Sequence, residues 1–151
     1  DTYQGMPEPT ERDQDMLSLH RGQSILQARG FRSWGEMNCA SLDEVKLNLA
    51  KTHYPESKIF YVKGKVEETL PQNSPAAVAL LRLDTDWYAS TLHELQCLYP
   101  KISGGGLLMI DDYGHWQGAK DAVDEYFASH RINLLMHRVD YTCRMGIKTT
   151  P

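Results

Sequence analysis

No stretch of this sequence approaches the roughly 20 consecutive apolar residues that a membrane-spanning helix requires, which excludes a transmembrane segment. Cysteine is scarce. Cys39, Cys97 and Cys143 are spaced neither as metal ligands nor as an even-numbered disulfide framework, so they are expected to be reduced and structural. Basic charge is also in deficit, with 16 Lys and Arg against 20 Asp and Glu and a net charge of -4. Such a balance exerts no general pull on phosphate backbones or anionic lipid, so neither nucleic acid nor membrane is expected as a partner. Asp1-Thr2-Tyr3-Gln4-Gly5 lacks the basic-then-apolar pattern of a secretory signal, and a cytoplasmic location is the expectation.

What remains is an ordinary globular composition, 41% hydrophobic and 24% charged over 151 residues. That length suits a single domain, 1–151, able to bury a substantial core. The first 40 residues carry Pro7, Pro9 and glycines at 5, 22, 30 and 35, and read as a loop-rich lid with short helices. Ser41-Leu42-Asp43-Glu44 is a capping box, so a helix should start there, with Leu42, Val45 and Leu49 as its buried stripe and Pro55 beyond its end. Ile59-Phe60-Tyr61-Val62 has the content of a short strand, followed by a turn at Gly64 and a helical segment ending before Pro71.

Val78 to Leu83 is almost continuously apolar, as a strand covered on both faces of a parallel sheet would be. It stops abruptly at Asp84-Thr85-Asp86. A helical pattern with Leu92, Leu95 and Leu98 then runs to Pro100, and the grammar repeats: a turn over 102–106, a buried strand Leu107 to Ile110, and Asp111-Asp112. A helix with Ala119, Ala122, Val123, Tyr126 and Phe127 on one face follows. Two strands near 134–139 and 144–147 should close the chain as an antiparallel hairpin. The alternation specifies an α/β domain with a mostly parallel sheet.

In such sheets ligands bind beyond the carboxyl ends of the strands. If the two acid-terminated strands are neighbours, four carboxylates stand together and repel unless protonated or neutralised, and a hard divalent cation, magnesium first, satisfies them. Carboxylates at strand ends also cap the helices that follow, which accounts for one aspartate in each motif but less well for two. His115 is a candidate base and Trp116 a candidate packing surface for substrate, with a surface histidine and a partly buried anchor as the alternative.

The blocks 81–91 (LRLDTDWYAST), 98–103 (LYPKIS), Ile110-Asp111-Asp112-Tyr113-Gly114 and 122–127 (AVDEYF), with the opening Asp1 to Pro7, closely resemble the macrocin O-methyltransferase family, whose members methylate sugar hydroxyls of natural products. The resemblance covers most of the chain. It implies a Rossmann-like domain that uses S-adenosylmethionine and magnesium. Asp84, Asp111 and Asp112 would hold the metal, and Asp86 would be the general base. Asp1 would bond the cofactor ribose or be a simple turn aspartate, and Gly64, Lys65 and Val66 would border the adenine. The acceptor would be a small molecule bearing a sugar, selected by loops such as 13–38. A homo-oligomer stays open.

One departure from the family pattern carries weight. Its glycine-rich cofactor turn, after the first strand, lies upstream of the segment that opens this sequence, and the glycines at 104–106 precede a strand instead of joining a strand to a helix. The N-terminal strands and that loop are therefore expected to be missing, leaving a truncated domain with an open edge on the Val78 to Leu83 strand. Two other readings follow: an inactive binding or oligomerising module, and a glycosyltransferase using Asp84 and Asp86 on a nucleotide sugar, which leaves Asp111 and Asp112 without a task.

Overall fold

The computed structural model describes residues 1–17, 26 and 30–149. His20, Gly22 and part of the 13–38 specificity loop lie outside the described residues. In chain order the helices are α1 (Leu42–Ala50), α2 (Val66–Asn73), α3 (Tyr88–Leu98) and α4 (Gln117–Ser129), and the strands are β1 (Val78–Leu83), β2 (Ile102–Ile110), β3 (His137–Arg138) and β4 (Arg144–Ile147). Among the described residues no helix is long and apolar enough to cross a membrane. All three cysteines are free.

The strands form one sheet in the order β1-β2-β4-β3. β1 and β2 are parallel, joined through α3, while β4 runs antiparallel to both β2 and β3. The α/β class and the closing antiparallel hairpin are as expected. The balance of pairings is not: one pair is parallel and two are antiparallel, because the described residues hold a single strand-helix-strand crossover and β4 returns directly against β2. The expected turn over 102–106 lies inside β2 as an irregularity, with Val78 opposite Ile102 and Leu80 opposite Leu107, so the glycines are absorbed as a bulge.

Among the described residues β1 is covered on one face only, which corrects the expectation of two-sided burial. Leu81 and Leu83 are buried among Leu95, Leu98, Leu108, Ile110, Val123 and Tyr126, while Leu80 on the other face is 58% exposed. Helices α3 and α4 pack on each other and close the first face; each fully buried Leu or Ile there contributes about 1.5–3 kcal/mol. The Ile59 to Val62 segment forms no strand, and Phe60 is 85% exposed. Its neighbourhood shows only a one-residue parallel pairing, in which the Asp1 nitrogen donates to the Val62 carbonyl and the Gly64 amide to the Asp1 carbonyl. No described strand extends that ladder.

Helix α1 begins on its capping box, Ser41 Oγ accepting from the Glu44 amide, and Leu42, Val45 and Leu49 form a half-buried stripe where full burial was expected. Helix α2 runs past Pro71, which lies inside it. The carbonyls of its last turn are met by side chains, Ser74 Oγ donating to the Leu70 carbonyl and Asn73 Nδ2 to the Thr69 carbonyl. The N-terminal loop is anchored in a second core: Trp34, Met37 and Leu26 pack with Trp87, Trp116 and Ala119, and the three indoles meet edge to face at 4.9–6.2 Å between ring centres.

Candidate active site

The parallel β1–β2 ladder sets Leu83 opposite Ile110, and the Asp111 amide donates to the Leu83 carbonyl at 3.0 Å. The two strands therefore finish level, and both acidic motifs emerge at one edge. Immediately beyond β1 the chain reverses tightly: the Trp87 amide donates to the Thr85 carbonyl across Asp86, whose φ is 64°. A left-handed backbone at a non-glycine residue is costly and persists where neighbours hold it. Here the Trp87 indole donates to the Pro7 carbonyl and the Tyr88 amide to Asp13 Oδ1, fixing the turn to the N-terminal loop.

Carboxylate oxygens of Asp84, Asp86 and Asp112 lie within 4.8 Å of one another. An all-oxygen set at that spacing fits a hard divalent cation better than a soft metal. Asp111 lies outside this trio but beside Asp84, and Arg82 bridges the two: one guanidinium nitrogen is 2.9 Å from Asp111 Oδ1 and the other 2.5 Å from Asp84 Oδ2. The structure thus gathers Asp86, where the family resemblance pointed to Asp111, with Asp84 and Asp112.

Burial pushes the Asp86 carboxyl up to about 9, reinforced by its hydrogen bond with Asp112 and by the negative charges around it. Asp84 is raised as well, by burial first, with Arg82 opposing and Asp111 adding to the shift.

The cluster opens into a cavity of about 530 Å³, a size within the ordinary range for small-molecule sites. Asp1, Gly64, Lys65, Val66, Asp84, Asp86, Glu67 and Glu94 are among the residues that line it. Asp1 Oδ1 accepts from its own turn at the Tyr3 amide, and Gly64 has φ 143°. His115 is not on the cavity wall; its ring packs edge-on to Trp116 and Tyr141, and Tyr141 Oη lies 3.4 Å from Nδ1. Trp116 is buried in the indole cluster.

Comparison with known proteins matches the macrocin O-methyltransferase family over residues 1–146. The chain belongs to that family. It is 34% identical over 135 residues to a demethyldecarbamoylnovobiocin O-methyltransferase of Streptomyces niveus, covering 87% of this chain and 47% of the relative. It is 29% identical over 150 residues to a mycinamicin III 3''-O-methyltransferase of Micromonospora griseorubida, covering 97% and 54%. The solved structure of the O-methyltransferase NovP superposes with a TM-score of 0.80 at 30% identity, over 99% of this chain and 58% of that one. This macrocin O-methyltransferase family chain therefore spans about half the length of the relatives it matches.

Sequence reasoning missed several residues of the site. Arg82 had a signal, a lone charge inside an apolar strand two residues before an acidic motif. Glu94 had none, since one glutamate on an amphipathic helix is unremarkable, yet it is buried and bonded by Thr85 Oγ1 at 2.9 Å. Asp13 also lacked one. It is 1% exposed, and its partners Thr10 and Tyr88 come from separate parts of the chain.

Proposed function

We propose that this chain carries the acceptor and metal site of an S-adenosylmethionine- and magnesium-dependent O-methyltransferase acting on a hydroxyl of a sugar or related natural product. The observation that carries the reading is the convergence of Asp84, Asp86 and Asp112 at level strand ends, with Asp84 and Asp86 lining the cavity. Family membership supplies the reaction class, and the relatives' names supply the acceptor class.

Asp84 and Asp112, joined by Asp111 once Arg82 yields it, would hold the ion. Bound there, magnesium would supply Lewis acidity to the accepting hydroxyl. Asp86 is placed to take the proton. As general base it would receive the hydroxyl hydrogen, leaving the oxygen lone pair free to form the new O–C bond as the donor's S–C bond breaks. S-adenosylhomocysteine is the leaving product, and no covalent enzyme intermediate is needed. Asp1 and Gly64 to Val66 would orient the adenosyl end of the donor across the cavity.

The test is methyl transfer from S-adenosylmethionine carrying a labelled methyl group, with magnesium or a chelator, to sugar-bearing acceptors. Label on an acceptor oxygen that disappears with chelator supports the reading. An inactive binding module is the alternative reading, favoured by the one-face coverage of β1 among the described residues. Calorimetry separates the two, because a chain that binds neither S-adenosylhomocysteine nor magnesium is the module.

A further inference from the structure

We propose that Arg82 is a built-in counter-cation of the carboxylate cluster, which a divalent ion must displace, so that metal entry and guanidinium release form one exchange. The inference rests on the metal reading above and deepens it, making the release of Arg82 part of metal entry.

The guanidinium sits between the two strand ends and occupies Asp84 and Asp111 together, one nitrogen to each. Among the described residues no other cation forms an ion pair with Asp84, Asp86, Asp111 or Asp112. A divalent ion bound by Asp84 meets Arg82 at the same carboxylate, where like charges repel and the oxygen lone pairs are already shared. Asp111 can join the ligands only after it leaves the guanidinium. The exchange requires no backbone change: the Arg82 side chain is 46% exposed and lines the open cavity, so rotation about its own stem clears the site. The pairs are also weak enough to lose, since half-exposed ion pairs are screened by solvent.

Two measurements on the 151-residue chain test this. Mn2+ binding is titrated for wild type, Arg82→Met and Lys65→Met, the last removing an equal charge from the cavity wall without touching the carboxylates. Arg82→Met is expected to bind Mn2+ roughly five- to tenfold more tightly than wild type. Lys65→Met should gain much less. Equal gains in both variants, or none in Arg82→Met while wild type binds, overturn the inference and leave the metal reading standing. No binding in any of the three removes the metal reading and the inference with it.

The second measurement follows the Arg82 guanidinium by NMR in wild type during titration with Mg2+, and so does not depend on the variant folding. Its signals should shift toward those of a solvent-exposed arginine in step with ion uptake. Signals that stay fixed at saturating Mg2+ overturn the exchange.

Discussion

Asp13 accepts a hydrogen bond from the amide of Tyr88, 75 residues later, at 2.8 Å. Tyr88 is the first residue of α3, and the preceding Trp87 offers no side-chain cap, so the helix takes its N-terminal acceptor from the N-terminal loop. The other Asp13 oxygen accepts from the amide and hydroxyl of Thr10. One buried carboxylate thereby joins the loop to the helix that follows Asp86, with the helix dipole favouring its charge.

Asp13→Ala should cost about 2–4 kcal/mol, combining a lost cap with stranded amides, and denaturant unfolding measures it. Gly118→Ala should act through the same point, because an added Cβ would lie 2.0 Å from Asp13 Oδ1. The two substitutions together should therefore cost less than the sum of their separate effects. Additive costs would show that Gly118 acts elsewhere.

Removing a carboxylate without changing its shape separates ligands from bystanders. Asp111→Asn and Asp112→Asn should each weaken Mn2+ binding by roughly tenfold or more and abolish nearly all magnesium-dependent turnover. Retained magnesium-dependent activity in Asp111→Asn would remove the assignment.

Glu94 gives the protein a pH signature. Burial raises its carboxyl to about 7, with the Thr85 hydroxyl opposing and Glu67 reinforcing the shift. The fold thus keeps a proton that the unfolded chain releases near the ordinary value of 4.5. The stabilisation is complete below that value and is lost as the pH climbs to about 7, a loss of up to about 3 kcal/mol. Glu94→Gln should match wild type more closely at pH 5 than at pH 8, where the variant should be the more stable. Urea titrations at the two pH values, with chelator present so that Asp86 contributes equally, read the difference. An unchanged slope with pH would show that Glu94 is not the group responsible.

The face and edge of β1 that the described residues leave uncovered should make the 151-residue chain sticky. Leu80 is 58% exposed and Ile147 55% exposed on the same sheet, and an open parallel edge invites pairing. Leu80→Lys should shift sedimentation profiles toward monomer at high concentration while leaving Mn2+ affinity within about twofold of wild type. Identical profiles would place any self-association elsewhere.

The parts of this fold written in local chemistry were legible. The capping box at Ser41 set the start of α1, and two apolar runs ending in aspartate located β1, β2 and the meeting of their motifs. Less legible was whatever depended on distant partners. Ile59 to Val62 has strand composition but lacks a described neighbour to complete a ladder, and Leu80 has core composition but no described cover. Arg82 and Asp111 are unrelated in sequence, and only the register of two strands turns one toward the other. His115 lay close to the acidic pair in sequence, yet its ring is packed between Trp116 and Tyr141, away from the cavity wall.

The level ending of β1 and β2 also makes the carboxylate cluster a gauge of correct strand pairing. A slip of one residue would displace Asp111 and Asp112 by about 3.3 Å along the strand and invert which face each side chain occupies. The oxygens of Asp84 and Asp112 would then no longer converge. A divalent ion held there, as proposed, would favour the native alignment over its misaligned competitors, so refolding yield should rise with the ion together with equilibrium stability.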